Sequence, residues 1–197
     1  DVSVAEVREW NGLSSRTLLR PGQTLKLFIA NLSYANGGGW ISSTDSNWYG
    51  VDNISLVEDY KFGYYDHEAR VLDSLVNEHP YFLPIKAVGN SKGITLSDTT
   101  GNFTAWHFDT TSEIWSQQTY SDSFPKANGI DGFDCLPGNS TGKNYLVVGS
   151  CADIGTRYSS PVDVTLSSLS STGPTDDGRI KPDIVAPTAG GLTSYAA

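Results

Sequence analysis

The spacing of apolar residues changes from helical to continuous within the first half of the chain. Apolar residues at helical intervals follow Asp66, a good N-cap, and Pro80 comes after them, so residues 67–78 are predicted to form a helix. Residues 81–88 are almost wholly apolar, which is typical of a strand covered on both faces of a sheet. A helix followed directly by a buried strand favours an α/β fold.

Further apolar runs predict more strands of the same kind. Residues 23–34 and 143–150 each contain a continuous apolar stretch, and both are predicted to be strands. Residues 162–166 are interpreted as a further short strand, and residues 180–186 carry another apolar step. Residues 91–129 show little periodicity and many polar side chains, although their aromatic residues argue against disorder.

Composition and charge limit the classes of protein to which this chain could belong. The 197 residues are 38% hydrophobic and 18% charged, which suits a loop-rich globular domain or part of a larger one. The net charge is −9 without a basic stripe, so nucleic acid is not expected as a partner. No apolar run reaches about 18 residues, so no membrane span is expected. Because the chain starts at Asp1 and contains no Met, we expect a processed or excised piece.

The cysteines and histidines give no decisive chemistry. Cys135 and Cys151 could close one disulfide, and two buried free thiols are the alternative. His67, His79 and His107 lack the spacing of a zinc site, and His79 near the end of a helix needs no catalytic role.

One short motif resembles a nucleophile elbow, because residues 138–142 match Gly-x-Ser-x-Gly. An elbow follows a strand and opens a helix, whereas here Pro137 comes before the motif and a strand is predicted after it. We therefore interpret the motif as a turn that leads into a strand.

Two other groups of residues have both a functional and a structural interpretation. The acidic pairs Glu58-Asp59 and Asp176-Asp177 could bind calcium or form solvated loop charge. If exposed, the aromatic residues Trp40, Trp48 and Tyr49 could line a sugar or peptide groove; the alternative is packing onto their own domain.

The Gly-Asn pair at residues 89 and 90 ends the predicted strand 81–88. Alone it indicates only a turn. At the tip of a strand, however, the side-chain NH2 of Asn90 could donate a hydrogen bond to the oxyanion that forms when a carbonyl is attacked.

Four segments together resemble one protein family. Residues 170–187, Ser-Ser-Thr-Gly-Pro-Thr through Lys-Pro-Asp-Ile-Val-Ala-Pro, closely resemble a long segment of the subtilisin-like serine proteases. Residues 87–90 resemble that family's Ala-Ala-Gly-Asn, and residues 29–35 its Ile-x-Asn-x-Ser-x-Gly strand. Residues 143–150 resemble its Asn-x-Ile-x-Val-Gly-Ala strand. The resemblance extends from about residue 25 to the end of the chain.

The resemblance implies a three-layer α/β sandwich around a mostly parallel sheet, and secretion or display at the cell surface. It implies hydrolysis of a polypeptide substrate by Ser-His-Asp chemistry, with Asn90 as the oxyanion-hole donor and no cofactor for catalysis. A structural calcium ion is compatible with it. The implied walls of the substrate pocket are Ser33, Tyr34, Ala35, Ala87, Val88 and Gly89.

The family's Asp and His motifs are absent, and so is its Gly-Thr-Ser-Met-Ala serine motif. Ser194 stands in a Leu-Thr-Ser context too close to Pro187 to match that motif well. We therefore expect residues 1–197 to be a partial catalytic domain with an insertion at about residues 91–129. The missing N- and C-terminal parts of the same domain would carry the triad. The alternatives are a non-catalytic subtilase-like binding module and an all-β carbohydrate-binding domain.

Overall fold

The computed structural model describes residues 28–34, 38–40, 47–49, 54, 58–92, 94, 102–109, 111–121, 128–129, 133–153 and 158–187. These residues form one α-helix, α1, at His67–Glu78. Their strands are β1 Phe28–Leu32, β2 Asn47–Trp48, β3 Phe82–Ala87, β4 Asn102–Asp109, β5 Ile114–Ser121, β6 Leu146–Cys151 and β7 Ile184–Pro187. Short 3-10 helices lie at Gly138–Ser140 and Pro161–Asp163.

The main sheet has the order β1-β3-β6-β7, and its three strand pairings are all parallel. This confirms the predicted α/β fold with a mostly parallel sheet and excludes the all-β alternative. Parallel strands need crossover connections, and α1 lies in the connection between β1 and β3. The carboxyl ends of the four strands therefore meet at one edge of the sheet.

Helix α1 begins and ends where the sequence predicts. The Asp66 carboxylate caps it by accepting a hydrogen bond from the N–H of Ala69 at 2.8 Å. The N–H of His79 closes it by donating to the carbonyls of Leu75 and Val76 at 3.0 and 3.2 Å. Pro80 follows and cannot extend the helix.

One apolar core joins this helix to the sheet. Leu72 and Val76 of α1 pack against a cluster of buried side chains. Removing this apolar area from water stabilises the layered arrangement. The cluster consists of Val88, Leu136, Tyr145 and Val147.

Strand β3 differs from its predicted character. Leu83 is exposed, and Lys86, the one charged residue of the run, is only 1% exposed. The prediction of an apolar strand covered on both faces was thus wrong in two details: the face that carries Leu83 is partly exposed, and the covered face holds a lysine.

A second sheet contains β2, β4 and β5. β4 and β5 form an antiparallel hairpin, so residues 91–129 contain more regular structure than their weak periodicity predicted. Trp40 and Trp48 are each 1% exposed and pair in an antiparallel bridge. The interpretation that these tryptophans pack onto their own domain is therefore correct. The prediction that they line an exposed groove was wrong.

The structure also decides two other predictions, one on residues 162–166 and one on the cysteines. Residues 162–166 do not form a strand: Pro161–Asp163 is a 3-10 helix, and Leu166 makes a single bridge with Cys151. Proline at the first helical position and the Ser160–Asp163 capping box favour the helical turn. Cys135 and Cys151 are buried free thiols, as in the second of the two alternatives.

Candidate functional site

The two predicted pocket walls leave the sheet side by side. Leu32 on β1 pairs with Lys86 on β3 in parallel register. Ser33 and Tyr34 therefore begin beside Ala87, at the edge where both strands end. Ala35 lies outside the described residues. A gap between the ends of neighbouring parallel strands is where open α/β sheets bind ligands.

Gly89 makes the sharp turn at the tip of β3. Its φ of +105° lies in a region that L side chains rarely adopt. A Cβ built on Gly89 would also lie 2.7 Å from Cγ of Pro137. Both the backbone conformation and the crowding thus require glycine immediately before Asn90.

Hydrogen bonds on both sides hold this strand tip in place. The Ser140 hydroxyl donates to the Ala87 carbonyl at 3.1 Å. The N–H of Ser171 donates to the Gly89 carbonyl at 3.0 Å, and the N–H of Ser91 donates to the Ser171 hydroxyl at 2.9 Å. Ser171 therefore fixes the backbone on either side of Asn90.

The Asn90 side chain remains available. Asn90 is exposed, and within the described part of the chain its amide makes no hydrogen bond. An asparagine amide has two N–H donors and a carbonyl acceptor, so it can donate to a developing negative charge. A fixed backbone that carries an exposed donor is the kind of arrangement that can stabilise an oxyanion.

Ser140 of the Gly-x-Ser-x-Gly motif is not placed as a nucleophile. It ends a buried 3-10 helix and is 0% exposed, and its hydroxyl donates to the Ala87 carbonyl. A nucleophilic serine needs an exposed hydroxyl beside a base. The turn interpretation is confirmed, and this serine supports the strand that leads to Asn90.

Lys86 is a functional candidate that the sequence analysis missed. Its ammonium donates to the Leu32 carbonyl at 3.4 Å and lies 4.4 Å from the ring centroid of Tyr34. Burial lowers its pKa to about 8, against an opposing effect of the Glu68 carboxylate. A cavity of about 360 Å³ between α1 and Tyr34 is lined partly by Lys86 and Glu68. The signal in the sequence was one charged residue inside an apolar strand.

The acidic residues predicted as calcium ligands make different contacts in the structure. Asp59 is buried and accepts a hydrogen bond from the N–H of Gly39 at 2.7 Å, and Asp177 pairs with Arg179. Burial, then Glu58 and Asp176, raise the pKa of Asp134 to about 6. In the described ranges, no group of three His, Cys, Asp or Glu residues is arranged to hold a metal ion.

The three histidines belong to α1, its C-cap and β4, and His67 also lines the cavity beside Tyr34 and Lys86. His67 is exposed in the first turn of α1, His79 follows its last turn, and His107 lies on β4. Ser194 falls outside the described residues. No described helix is long and apolar enough to cross a membrane.

Comparison with models of known families identifies the family of the chain. The model of the subtilase family matches residues 19–196, and a model of the LysM domain matches residues 1–28. Comparison with curated proteins found no match, and neither did comparison with solved structures. Because the first family model covers far more than half of the sequence, the chain belongs to the subtilase family of serine proteases.

Proposed function

We propose that this chain forms the substrate-binding part of a serine endopeptidase, with Asn90 as the oxyanion-hole donor. The parallel register of β1 and β3 is the observation that supports this best. Because Leu32 pairs with Lys86, Ser33 follows β1 beside Ala87, and the exposed Asn90 comes three residues after the end of β3. Asp and His motifs and the serine, outside this chain, would complete the triad.

The chemistry follows from charge development. When a serine attacks a peptide carbonyl, the carbonyl oxygen becomes negatively charged, and an amide N–H aimed at it lowers the barrier. The turn at Gly89 and the two hydrogen bonds to Ser171 hold Asn90 without further reorganisation. Asn90 would therefore act in the transition state more than in substrate binding.

The substrate would be a polypeptide in extended form, bound beside the two walls by backbone hydrogen bonds. One wall is Ser33, Tyr34 and Ala35, and the other is Ala87, Val88 and Gly89. Tyr34 is 60% exposed, so it can contact a side chain of the substrate directly. We place the enzyme outside the cell or at its surface, with no cofactor for catalysis and with calcium, if bound, in a structural role.

Replacing Asn90 tests this function in the full-length protein. Asn90→Ala should lower kcat by about 100-fold or more, the magnitude measured for the equivalent donor of subtilisin, and leave KM nearly unchanged. Asn77→Ala is the matched control, because Asn77 is an exposed asparagine on α1. Turnover of Asn90→Ala equal to that of the control would remove Asn90 from this role.

A non-catalytic binding module is the second candidate, and the LysM match at residues 1–28 favours it. A fluorophosphonate probe separates the two, because it reacts only with an activated serine. Labelling of the full-length protein would support the protease. A folded but unlabelled protein would support the binding module.

A further inference from the structure

Asn128 joins two backbone segments that are distant in sequence. It is only 3% exposed. Its side-chain oxygen accepts a hydrogen bond from the N–H of Trp40 at 2.8 Å, and its side-chain NH2 donates to the Trp40 carbonyl at 2.6 Å. Its own backbone N–H donates to the carbonyl of Ile94 at 3.1 Å. This one residue therefore connects residue 40 to residue 94.

Each connected segment continues from one side of the proposed cleft. Trp40 comes shortly after Tyr34, which belongs to the first pocket wall. Ile94 comes shortly after Asn90, the proposed oxyanion donor. The Asn128 bonds therefore act as a cross-tie between the backbones that lead away from the two sides of the cleft.

Further contacts hold the backbone at the Trp40 end of this cross-tie. The buried Asp59 carboxylate accepts from the N–H of Gly39 at 2.7 Å, and Trp40 pairs with Trp48 in a β-bridge. Gly39 has a φ of +56°, and a Cβ there would collide with the side-chain oxygen of Asn128. The close approach of Asn128 to this segment depends on that glycine.

In the described part of the chain, backbone hydrogen bonds hold the Asn90 end at two places. Ser171 holds the backbone at Gly89 and Ser91, as described above. Asn128 holds Ile94, farther along the same segment. Without the second attachment, the segment after Ser91 would lose its tie to the opposite side of the cleft.

We propose that Asn128 is a positioning residue, which sets the distance between the first pocket wall and Asn90. This rests on the proposed function of Asn90. Asparagine suits the position because its amide presents one acceptor and one donor side by side, matching the carbonyl and N–H of a single residue. An ionised aspartate of the same shape accepts from the Trp40 N–H but cannot donate to the Trp40 carbonyl.

The test compares Asn128→Asp with Asp59→Ala in the full-length protein. Both changes loosen the backbone at residues 38–40, but Asp59 makes no hydrogen bond to Ile94. The bond to Ile94 is donated by the backbone N–H of residue 128, so amide hydrogen exchange in Asn128→Asp should increase at residues 38–40, at residue 128, and at residues 90–94 as that segment loosens. In Asp59→Ala it should increase at residues 38–40 alone. This measurement needs no catalytic activity.

Kinetics supply the second readout. With the best-cleaved member of a panel of tetrapeptide p-nitroanilides, Asn128→Asp should lower kcat about tenfold, because a displaced donor loses transition-state stabilisation. Asp59→Ala should change kcat less than Asn128→Asp does. Asn128→Ala, if it folds, should show the larger loss of the two Asn128 variants.

The outcomes separate this proposal from the function on which it rests. Unchanged exchange at residues 90–94 in Asn128→Asp would overturn the positioning role. So would an unchanged kcat in Asn128→Asp while Asn90→Ala loses turnover. If Asn90→Ala itself keeps full turnover, the proposed function of Asn90 fails first, and the exchange result alone decides whether Asn128 ties the segments.

Discussion

Two buried charged residues, Asp73 on α1 and Lys86 on β3, differ in the hydrogen bonds that their charged groups make. The Asp73 carboxylate on α1 accepts from the N–H groups of Lys143 and Asn144 and from the Tyr65 hydroxyl, at distances of 2.7 to 2.9 Å. Among the described residues, the Lys86 ammonium has one backbone acceptor, at 3.4 Å, and lies over the face of Tyr34. Asp73 is 5% exposed and Lys86 is 1% exposed, so burial alone does not separate them.

The difference lies in how completely each charge is solvated by the protein. A carboxylate with several good donors recovers most of the hydration that it loses on burial, and it ties together the chain segments that supply them. An ammonium with one long hydrogen bond does not, so burial lowers its pKa. The Asp73 region therefore contributes stability, whereas Lys86 lowers stability next to Tyr34 of the proposed pocket.

Removing Asp73 should have the largest effect on folding. Asp73→Ala removes the charged acceptor of partly buried hydrogen bonds from the N–H groups of Lys143 and Asn144 and from the Tyr65 hydroxyl, so the free energy of unfolding should fall by about 3 kcal/mol. Urea unfolding measures the loss. Glu78→Ala, on an exposed part of the same helix, is the control and should change stability by about 0.5 kcal/mol or less. An Asp73→Ala loss no larger than that of the control would contradict the comparison.

The sequence could predict the elements that depend on local pattern. The limits of α1 follow from Asp66 and Pro80, and β3 follows from its apolar run. The packing of Asp73 with residues 143–144 could not be predicted, because it joins segments far apart in sequence whose residue types are common on surfaces.

For the site, the Gly-Asn motif located Asn90 correctly at a strand tip. The hydrogen bonds of Ser171 at that tip, and those of Asn128 to Trp40 and Ile94, were missed, because they join segments that are far apart in sequence and show no periodicity. Lys86 was missed because a lysine in a strand is usually at the surface. Motifs thus indicated the position of the candidate donor, whereas the contacts that hold it required the structure.

Gly89→Ala should have the next largest effect on stability, and it tests the tip of β3, next to the proposed cleft. The positive φ and the contact with Pro137 should together cost about 2 kcal/mol or more. Gly178→Ala separates the two causes, because Gly178 has a φ of +80° but no atom within 4 Å of its added Cβ. Its cost should be about 1 kcal/mol, from the backbone alone. Equal losses in urea unfolding would show that crowding against Pro137 contributes nothing.

Lys86→Met should have the smallest effect and the opposite sign. Methionine fills much of the same volume without a charge, so at pH 7 the free energy of unfolding should rise by about 1 kcal/mol. The pH dependence identifies the cause. The folded pKa of about 8 lies below 10.5, the ordinary pKa of a lysine, so between these pH values the unfolded chain binds more protons, and stability from this group rises with pH.

Below pH 8 the lysine is protonated in both states and its destabilising effect is fully present. The advantage of Lys86→Met over the wild type should therefore be largest at pH 7 and shrink as the pH approaches 10. Comparing the two proteins at each pH removes the contributions of the other lysines and the tyrosines. An advantage that stays constant from pH 7 to 10 would mean that the charge of Lys86 is as well solvated as that of Asp73, and the two regions would then not differ.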